Sequence, residues 1–321
     1  MERTAEFDAF GPWVYEVRSP EEVPPLYRGH PVDLGSARMV IKVPRPVERR
    51  NASPTMHLYD HLLVAGSQAL TILSRVGERG EYRAREVPYA RLGAAQVSVS
   101  LLDGALRLLD AAPGGDLPAV RFNGVSLGTV DRLVDLLLDH AVVEQGETAR
   151  AVAGRDPGSP DGGAPPDGGA PREGATPWTV SGPDVALVVA YRELAARRPG
   201  LARLADHPRM PVARRGGVVA RLLDRAWPVT LHAAVVAAQP GCVEVLHRRH
   251  PFSTGSRPVH SVARTALLAP VVTGVTTRPD VRFTGAVDAR VGVGDDAALD
   301  LVFPEGAPTL PALREALGRG R

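Results

Sequence analysis

Lysine is almost missing from this chain. Lys42 is the only one among 38 basic residues, the rest are arginine, and 36 acidic residues leave a formal net charge of +2. So near-neutral a balance excludes the general basic field that holds nucleic acid, so no nucleic-acid partner is expected and any positive patch has to be local. The arginine bias, with abundant Ala, Gly and Pro, reads as the composition of a GC-rich genome rather than as selection for guanidinium chemistry. Cys242 is the sole cysteine, which excludes an intrachain disulfide and a cysteine-held zinc. Residues 1–20 carry Glu2, Glu6 and Asp8 and no apolar core of a secretory signal. No run reaches the eighteen or so apolar residues of a membrane span. The expected location is cytoplasmic, with peripheral contact at a membrane as the one departure. Also absent are a GxSxG elbow, a P-loop and a GxGxxG between strand and helix. No catalytic residue, metal or cofactor is therefore assigned.

What is present is a repeat. Pro12-Trp13 opens a stretch leading to Tyr27-Arg28, and Pro177-Trp178 opens another leading to Tyr191-Arg192. Further on, a constant offset aligns Arg38-Met39 with Arg209-Met210, Val47 with Val218, Arg50 with Arg221, His61 with His232 and Val64 with Val235. Self-similarity at so long a period predicts two copies of one domain. Between them, 154–176 holds almost nothing but small, polar, Gly and Pro residues, too little apolar surface to offset ordering entropy. The expected division is an N-terminal unit over 1–145 with a Pro-Trp leader, a linker over 146–176 and a C-terminal unit over 177–321 with a helical leader. Proteolysis between Arg155 and Arg172 is expected to separate them.

Both units read as strands closed by a helix. Gly66-Ser67 separates two apolar strands, and Val97, Val99 and Leu101 alternate with Ser98 and Ser100 as in a strand with one wet face. Asp103-Gly104 suits a type I′ turn. Leu127, Val130, Leu133, Val134, Leu137 and Leu138 then form a helical face that Ser126 caps. In the second unit Gln239-Pro240-Gly241 marks a hairpin. Val287, Ala289, Val291 and Val293 alternate, and Thr309 starts a helix with Leu310, Leu313 and Leu317 on one face. Residues 184–197 and 217–226 read as further helices. The fold class is α+β: two related, mainly antiparallel β domains.

This order of antiparallel strands followed by a C-terminal amphipathic helix, over 58–139 and 230–318, resembles the bacterial pleckstrin-homology-like (PH-like) domains. The resemblance implies two packed sheets forming an open barrel with the helix closing one end. It also implies binding of a protein partner, a peptide or an anionic headgroup.

The densest polar constellation runs from His247 to His260. Arg248, Arg249, Ser253, Thr254 and Arg257 read as a loop whose guanidinium groups and hydroxyls would hold an anion, with Gly255 allowing close backbone approach. His232, His247, His250 and His260 offer a metal alternative that lacks any carboxylate or cysteine at ligand spacing. Cys242 reads as a small buried hydrophobe, and Trp13 and Trp178 as core anchors. The expected function is a non-enzymatic binding or scaffold protein. An enzyme with a site between the halves and a self-assembling structural protein are the alternatives.

Overall fold

The computed structural model describes residues 5–77, 80–115, 117–153, 177–255 and 259–318. Arg257, all of 154–176 and with it both expected cleavage sites lie outside the described residues. The first half runs α1 (Ala5–Ala9), β1 (Tyr15–Glu16), β2 (Met39–Pro44), β3 (Tyr59–Ala65), β4 (Ala69–Val76), β5 (Glu81–Pro88), β6 (Leu92–Ser100), β7 (Asp103–Asp110), β8 (Val120–Asn123) and α2 (Leu127–Ala153). The second half opens with α3 (Val185–Arg197), β9 (Ala202–His207), β10 (Met210–Arg214), α4 (Val218–Ala226), β11 (Val229–Leu231), β12 (Ala234–Gln239) and β13 (Cys242–His247). It continues with β14 (Phe252–Thr254), β15 (Ser261–Leu268), β16 (Val272–Pro279), β17 (Phe283–Thr284), β18 (Ala286–Val293), β19 (Ala297–Pro304) and α5 (Thr309–Gly318). The molecule is α+β with antiparallel sheets throughout the described residues.

Strand order repeats between the halves. In the first, β1-β2-β3-β4-β5 form one sheet and β6-β7-β8 follow as a meander before α2. In the second, β9-β12-β13-β15 neighbour one another in that order, and β16-β18-β19 form the meander before α5. Register corrects part of the sequence alignment. Val64 pairs with Val40 and its counterpart Val235 pairs with Asp206, so Val40 matches Asp206. Met210 instead pairs with Leu231, and Arg209-Met210 is not the equivalent of Arg38-Met39. A single offset fails because the hairpin tip between these strands differs in length, and in the second half it carries α4.

The boundary between halves runs through a hydrogen-bonded sheet. β6 pairs with β15 from Ser100↔Ser261 to Ala94↔Leu267, giving a seven-stranded sheet β8-β7-β6-β15-β13-β12-β9. One face packs with α2 and the first sheet, bringing Cys242, Ala266 and Leu268 into a core with Leu133, Leu137 and Leu138. The other face places Ala94 and Leu109 in a core with Val243, Val291, Leu299 and Leu313. At Gly93 a Cβ would overlap Val293 Cγ1, so glycine lets β18 approach β6. β6 is therefore covered on both sides, and Ser98 is buried rather than wet.

Three local readings change. The β6–β7 turn lies at Leu101-Leu102, not Asp103-Gly104, because Ser100 pairs with Asp103. Leu101 takes φ 55°, a left-handed conformation that strains a side-chain-bearing residue by roughly 1 kcal/mol. Asn123, not Ser126, caps the helical turn by accepting from Val125 N, and the Ser126 hydroxyl accepts from Val14 N at 2.8 Å. α2 also continues to Ala153, so 146–153 is helix rather than linker. The Pro240-Gly241 hairpin is as expected: Gln239 pairs with Cys242, and Gly241 sits at φ 79°, the positive φ a type II turn requires.

Candidate functional site

The expected anion loop is taken apart by the fold. Arg248 is 1% exposed. Its Nε donates to Asp184 Oδ1 at 2.9 Å, and its other nitrogens donate to the carbonyls of Ser261 and Pro183, each at 2.5 Å. A guanidinium can be buried this way only when a carboxylate and carbonyls replace its water. Arg248 is thus a structural cation, not an anion ligand. Arg249 points across the β6–β15 junction to Asp103, reaching Oδ2 at 2.8 Å and the carbonyl at 3.0 Å. Ser253 and Thr254 belong to strand β14, paired with Thr230 and Val229. The four of the five proposed residues that are described are not brought together: Arg248 and Arg249 are committed to different carboxylates, and Ser253 and Thr254 lie in a strand.

Asp184 is the centre of a closed polar cluster. It is fully buried and also accepts from Arg209 Nε at 3.1 Å and from Ala233 N at 3.2 Å, with His232 Nδ1 at 3.4 Å. Burial alone would raise its pKa. Hydrogen bonds from His232, Arg209, Arg248 and the Ala233 amide overcome that and hold the carboxyl well below the usual range. Beyond His232 lies His207, whose Nδ1 is 2.8 Å from the Thr309 hydroxyl and whose Nε2 is 3.3 Å from the His232 carbonyl. Nε2 therefore carries the proton and Thr309 donates to Nδ1.

Burial pushes the His207 pKa down to about 4. A histidine that resists protonation when folded but takes a proton at about 6.5 when unfolded stabilises the fold less as pH falls between those values. His61 and His247 are shifted in the same direction by burial. We expect His207 alone to remove about 2 kcal/mol of stability between about pH 7 and about pH 5. Urea melts of the wild type and of His207→Gln across that range check this: the variant's slope is expected to be shallower by that amount.

A second ionic cluster joins the halves. Asp131, Asp135 and Asp139 recur every four residues on α2 and so share one face. Arg264 of β15 donates to Glu244 Oε2 through Nε at 2.9 Å and to Oε1 through Nη2 at 2.7 Å, and Nη2 lies 2.7 Å from Asp135 Oδ1. Arg198 reaches Asp139 at 2.9 Å, Gln239 at 3.1 Å and Glu244 at 3.4 Å. Arg197 reaches Asp135 at 3.1 Å and Asp131 at 3.4 Å. Burial raises the Asp131 pKa against the attraction of Arg264 and Arg197. These carboxylates are committed to arginines and form a joint rather than a reaction centre.

Two of the concave features bear on the expected sites. A cavity of about 150 Å³ is lined by Gln96, His232, His247, Arg249, Asp300 and Phe303 among others, but its histidines are engaged. His247 Nδ1 faces the Arg248 carbonyl at 2.8 Å and Nε2 the Thr265 hydroxyl at 2.9 Å. His232 Nε2 is buried without a hydrogen-bond partner among the described residues, and the cavity is large enough for water to satisfy it. His250 and His260 are exposed elsewhere, and no group of three or more His, Cys, Asp or Glu among the described residues is placed to hold a metal. Cys242 is fully buried, with its thiol pKa pushed up by burial, and so is inert as a nucleophile.

The larger feature is an open cleft of about 770 Å³ at the tip of the β2–β3 hairpin. Its lining combines Pro12, Pro44, Pro46, Val47, Leu102 and Phe122 with the charged Arg45, Glu48, Asp103 and Arg121. Leu101 and Leu102 are 69% and 62% exposed, and Trp13 and Val125 are 50% and 58% exposed. Trp13 is therefore not a core anchor, whereas Trp178 is partly buried under Arg203, 4.1 Å from its ring, and edge-on to Tyr191. An apolar pair at a hairpin tip was the sequence signal for this surface. Because Ser100 pairs with Ser261 and Arg249 bonds Asp103, the β6–β7 turn and the segment that follows β13 lie at the same end of the seven-stranded sheet. No helix among the described residues is long and apolar enough to cross a membrane. No known protein family, curated protein or solved structure matches the chain.

Proposed function

We propose that the chain is a non-enzymatic binding scaffold of two PH-like units, and that the cleft of the first unit holds an extended segment of a protein partner. The shared strand order, β2–β5 matching β9, β12, β13 and β15 before a three-stranded meander and a closing helix, with β1 extra in the first half, supports the PH-like reading of each half. The observation that carries the binding role is the 770 Å³ cleft with its proline-rich lining and the exposed Leu102. A lining of prolines with one aromatic ring suits an extended chain, and the opposite charges among the lining residues supply orientation. The deep titratable clusters are paired internally, which favours binding over catalysis. Self-assembly through the edge of the first sheet is disfavoured because β5 carries Glu81, Arg83, Arg85 and Glu86 along mostly exposed positions, the charged pattern that blunts an edge strand.

The test is recovery of native partners by the wild-type chain and by Leu102→Asp. Leu102 is exposed, so the variant is expected to melt within about 0.5 kcal/mol of wild type. A central apolar contact of an interface is worth about 2 kcal/mol or more, so retention of a specific partner should fall roughly thirtyfold. An unchanged partner set with the folded variant would remove the cleft from the binding site.

A further inference from the structure

α4 is built inside out. On a helical wheel Val218, Val219, Leu222 and Leu223 share one side, and Arg221, Asp224 and Arg225 the other. In a surface helix the apolar side faces the core, yet here the polar side is tied down. The Asp224 carboxylate accepts from Arg214 N at 2.9 Å and from Arg214 Nη1 at 2.6 Å, while Arg214 also donates to the Trp227 carbonyl at 3.0 Å. The apolar side is left in solvent. Val218 is 70%, Val219 71%, Leu222 62%, Leu223 40% and Trp227 60% exposed, and no residue of α4 is buried. Val281, 72% exposed, lies in the loop that leads into β17, which pairs with the other side of β10. So large an apolar patch on an isolated tip marks a contact surface.

Charge identifies what covers it. Of the five arginines from Arg209 to Trp227, Arg209 is held by Asp184 and Arg214 by Asp224, which leaves Arg215, Arg221 and Arg225 in a chain that is otherwise nearly neutral. Arg221 and Arg225 are exposed, and neither pairs with a carboxylate among the described residues. Both lie along one edge of the apolar face, where a planar anionic surface would meet them while the Val, Leu and Trp side chains enter its apolar boundary. Trp227 has the apolar ring and polar N–H suited to that boundary. A second copy of the same face would instead bring Arg221 and Arg225 against their own equivalents, a like-charge contact that complementary interfaces avoid.

We infer that α4, with Trp227 and Val281, is a docking element for the surface of an anionic lipid bilayer. It rests on the tip helix and not on what occupies the cleft.

The experiment is co-sedimentation of the full chain with phosphatidylcholine vesicles, alone or with roughly a third phosphatidylglycerol. Binding is expected only to the anionic vesicles and is expected to weaken as salt screens the surface field. Arg221→Gln with Arg225→Gln should reduce the partition coefficient roughly thirtyfold. Val219→Asp with Leu222→Asp should reduce it roughly a hundredfold or more, since two apolar anchors become charged. All four positions are exposed, so the variants should keep the wild-type melting temperature. Brominated acyl chains are expected to quench Trp emission in the wild type and not in Trp227→Phe. No binding to either vesicle would overturn the assignment, as would binding that survives the aspartate pair. Sedimentation showing a dimer that this pair dissociates, without vesicle binding, would also overturn it and make the face an interface between copies.

Discussion

Arg264→Met is expected to lower the unfolding free energy by about 3–5 kcal/mol, the cost of stranding a buried carboxylate. Glu244 is fully buried and Arg264 only 6% exposed, so water cannot take the place of the lost guanidinium. Its two hydrogen bonds at 2.7 and 2.9 Å are replaced by a thioether that donates nothing. Arg198 remains near Glu244 at 3.4 Å, but it also serves Asp139 and Gln239. The companion variant carrying Glu244→Met as well is expected to recover much of the loss, because two apolar side chains of similar volume need no solvent. Chemical denaturation of wild type, both singles and the double closes the cycle, and a coupling near zero would show that the two residues act independently. The cluster connects α2 of the first half to β13 and β15 of the second, so the same variant should loosen both halves together. A single unfolding transition that shifts as a whole is the expected form of the data; two separating transitions would mean that the halves hold their own stability.

The antiparallel α+β class, the hairpin at Pro240-Gly241 and the closing helices were legible because they rest on local periodicity and turn chemistry. Leu133, Val134, Leu137 and Leu138 announce a buried stripe whatever surrounds them, and all four are fully buried. The junction of the halves was not legible. Ser98 and Ser100 alternate with valines as they would on a half-solvated strand, and nothing local says that β15 arrives alongside β6. The site was read least well, for a similar reason. Arg248 and Arg249 are adjacent in a basic run, but one is consumed by Asp184 and the other by Asp103, partners 64 and 146 positions away. Composition cannot separate a buried structural arginine from a free one; only the distant carboxylate does. The exposed face of α4 shows the converse. Its helical pattern was plain in 217–226, whereas its orientation depends on the Asp224–Arg214 contact, which pins the polar side to β10.

Asp184→Asn should be nearly as costly, about 3–5 kcal/mol, since the amide keeps the shape and removes the charge that balances Arg248. Four groups converge on this carboxylate from different segments: Arg209 after β9, His232 and Ala233 between β11 and β12, and Arg248 after β13. Those segments are the bends at which the long β9–β12 hairpin leaves the seven-stranded sheet and becomes the small sheet β14-β11-β10-β17 that presents α4. Losing the carboxylate should therefore raise amide exchange first in β10, β11 and β14, before the seven-stranded sheet opens. The pH dependence carries a definite sign. The folded-state pKa is depressed, so the contribution is complete above the unfolded value of about 4 and fades as pH falls through the still lower folded value. The stability gap between wild type and Asp184→Asn is thus expected to be constant from neutral pH down to about pH 4 and to shrink below it. A gap that closes already near pH 6 would assign the stabilisation to His207 instead of the carboxylate. Vesicle binding by α4 read alongside exchange then separates two roles: if Asp184 fixes how the tip is held, Asp184→Asn weakens docking while Arg221 and Arg225 remain intact.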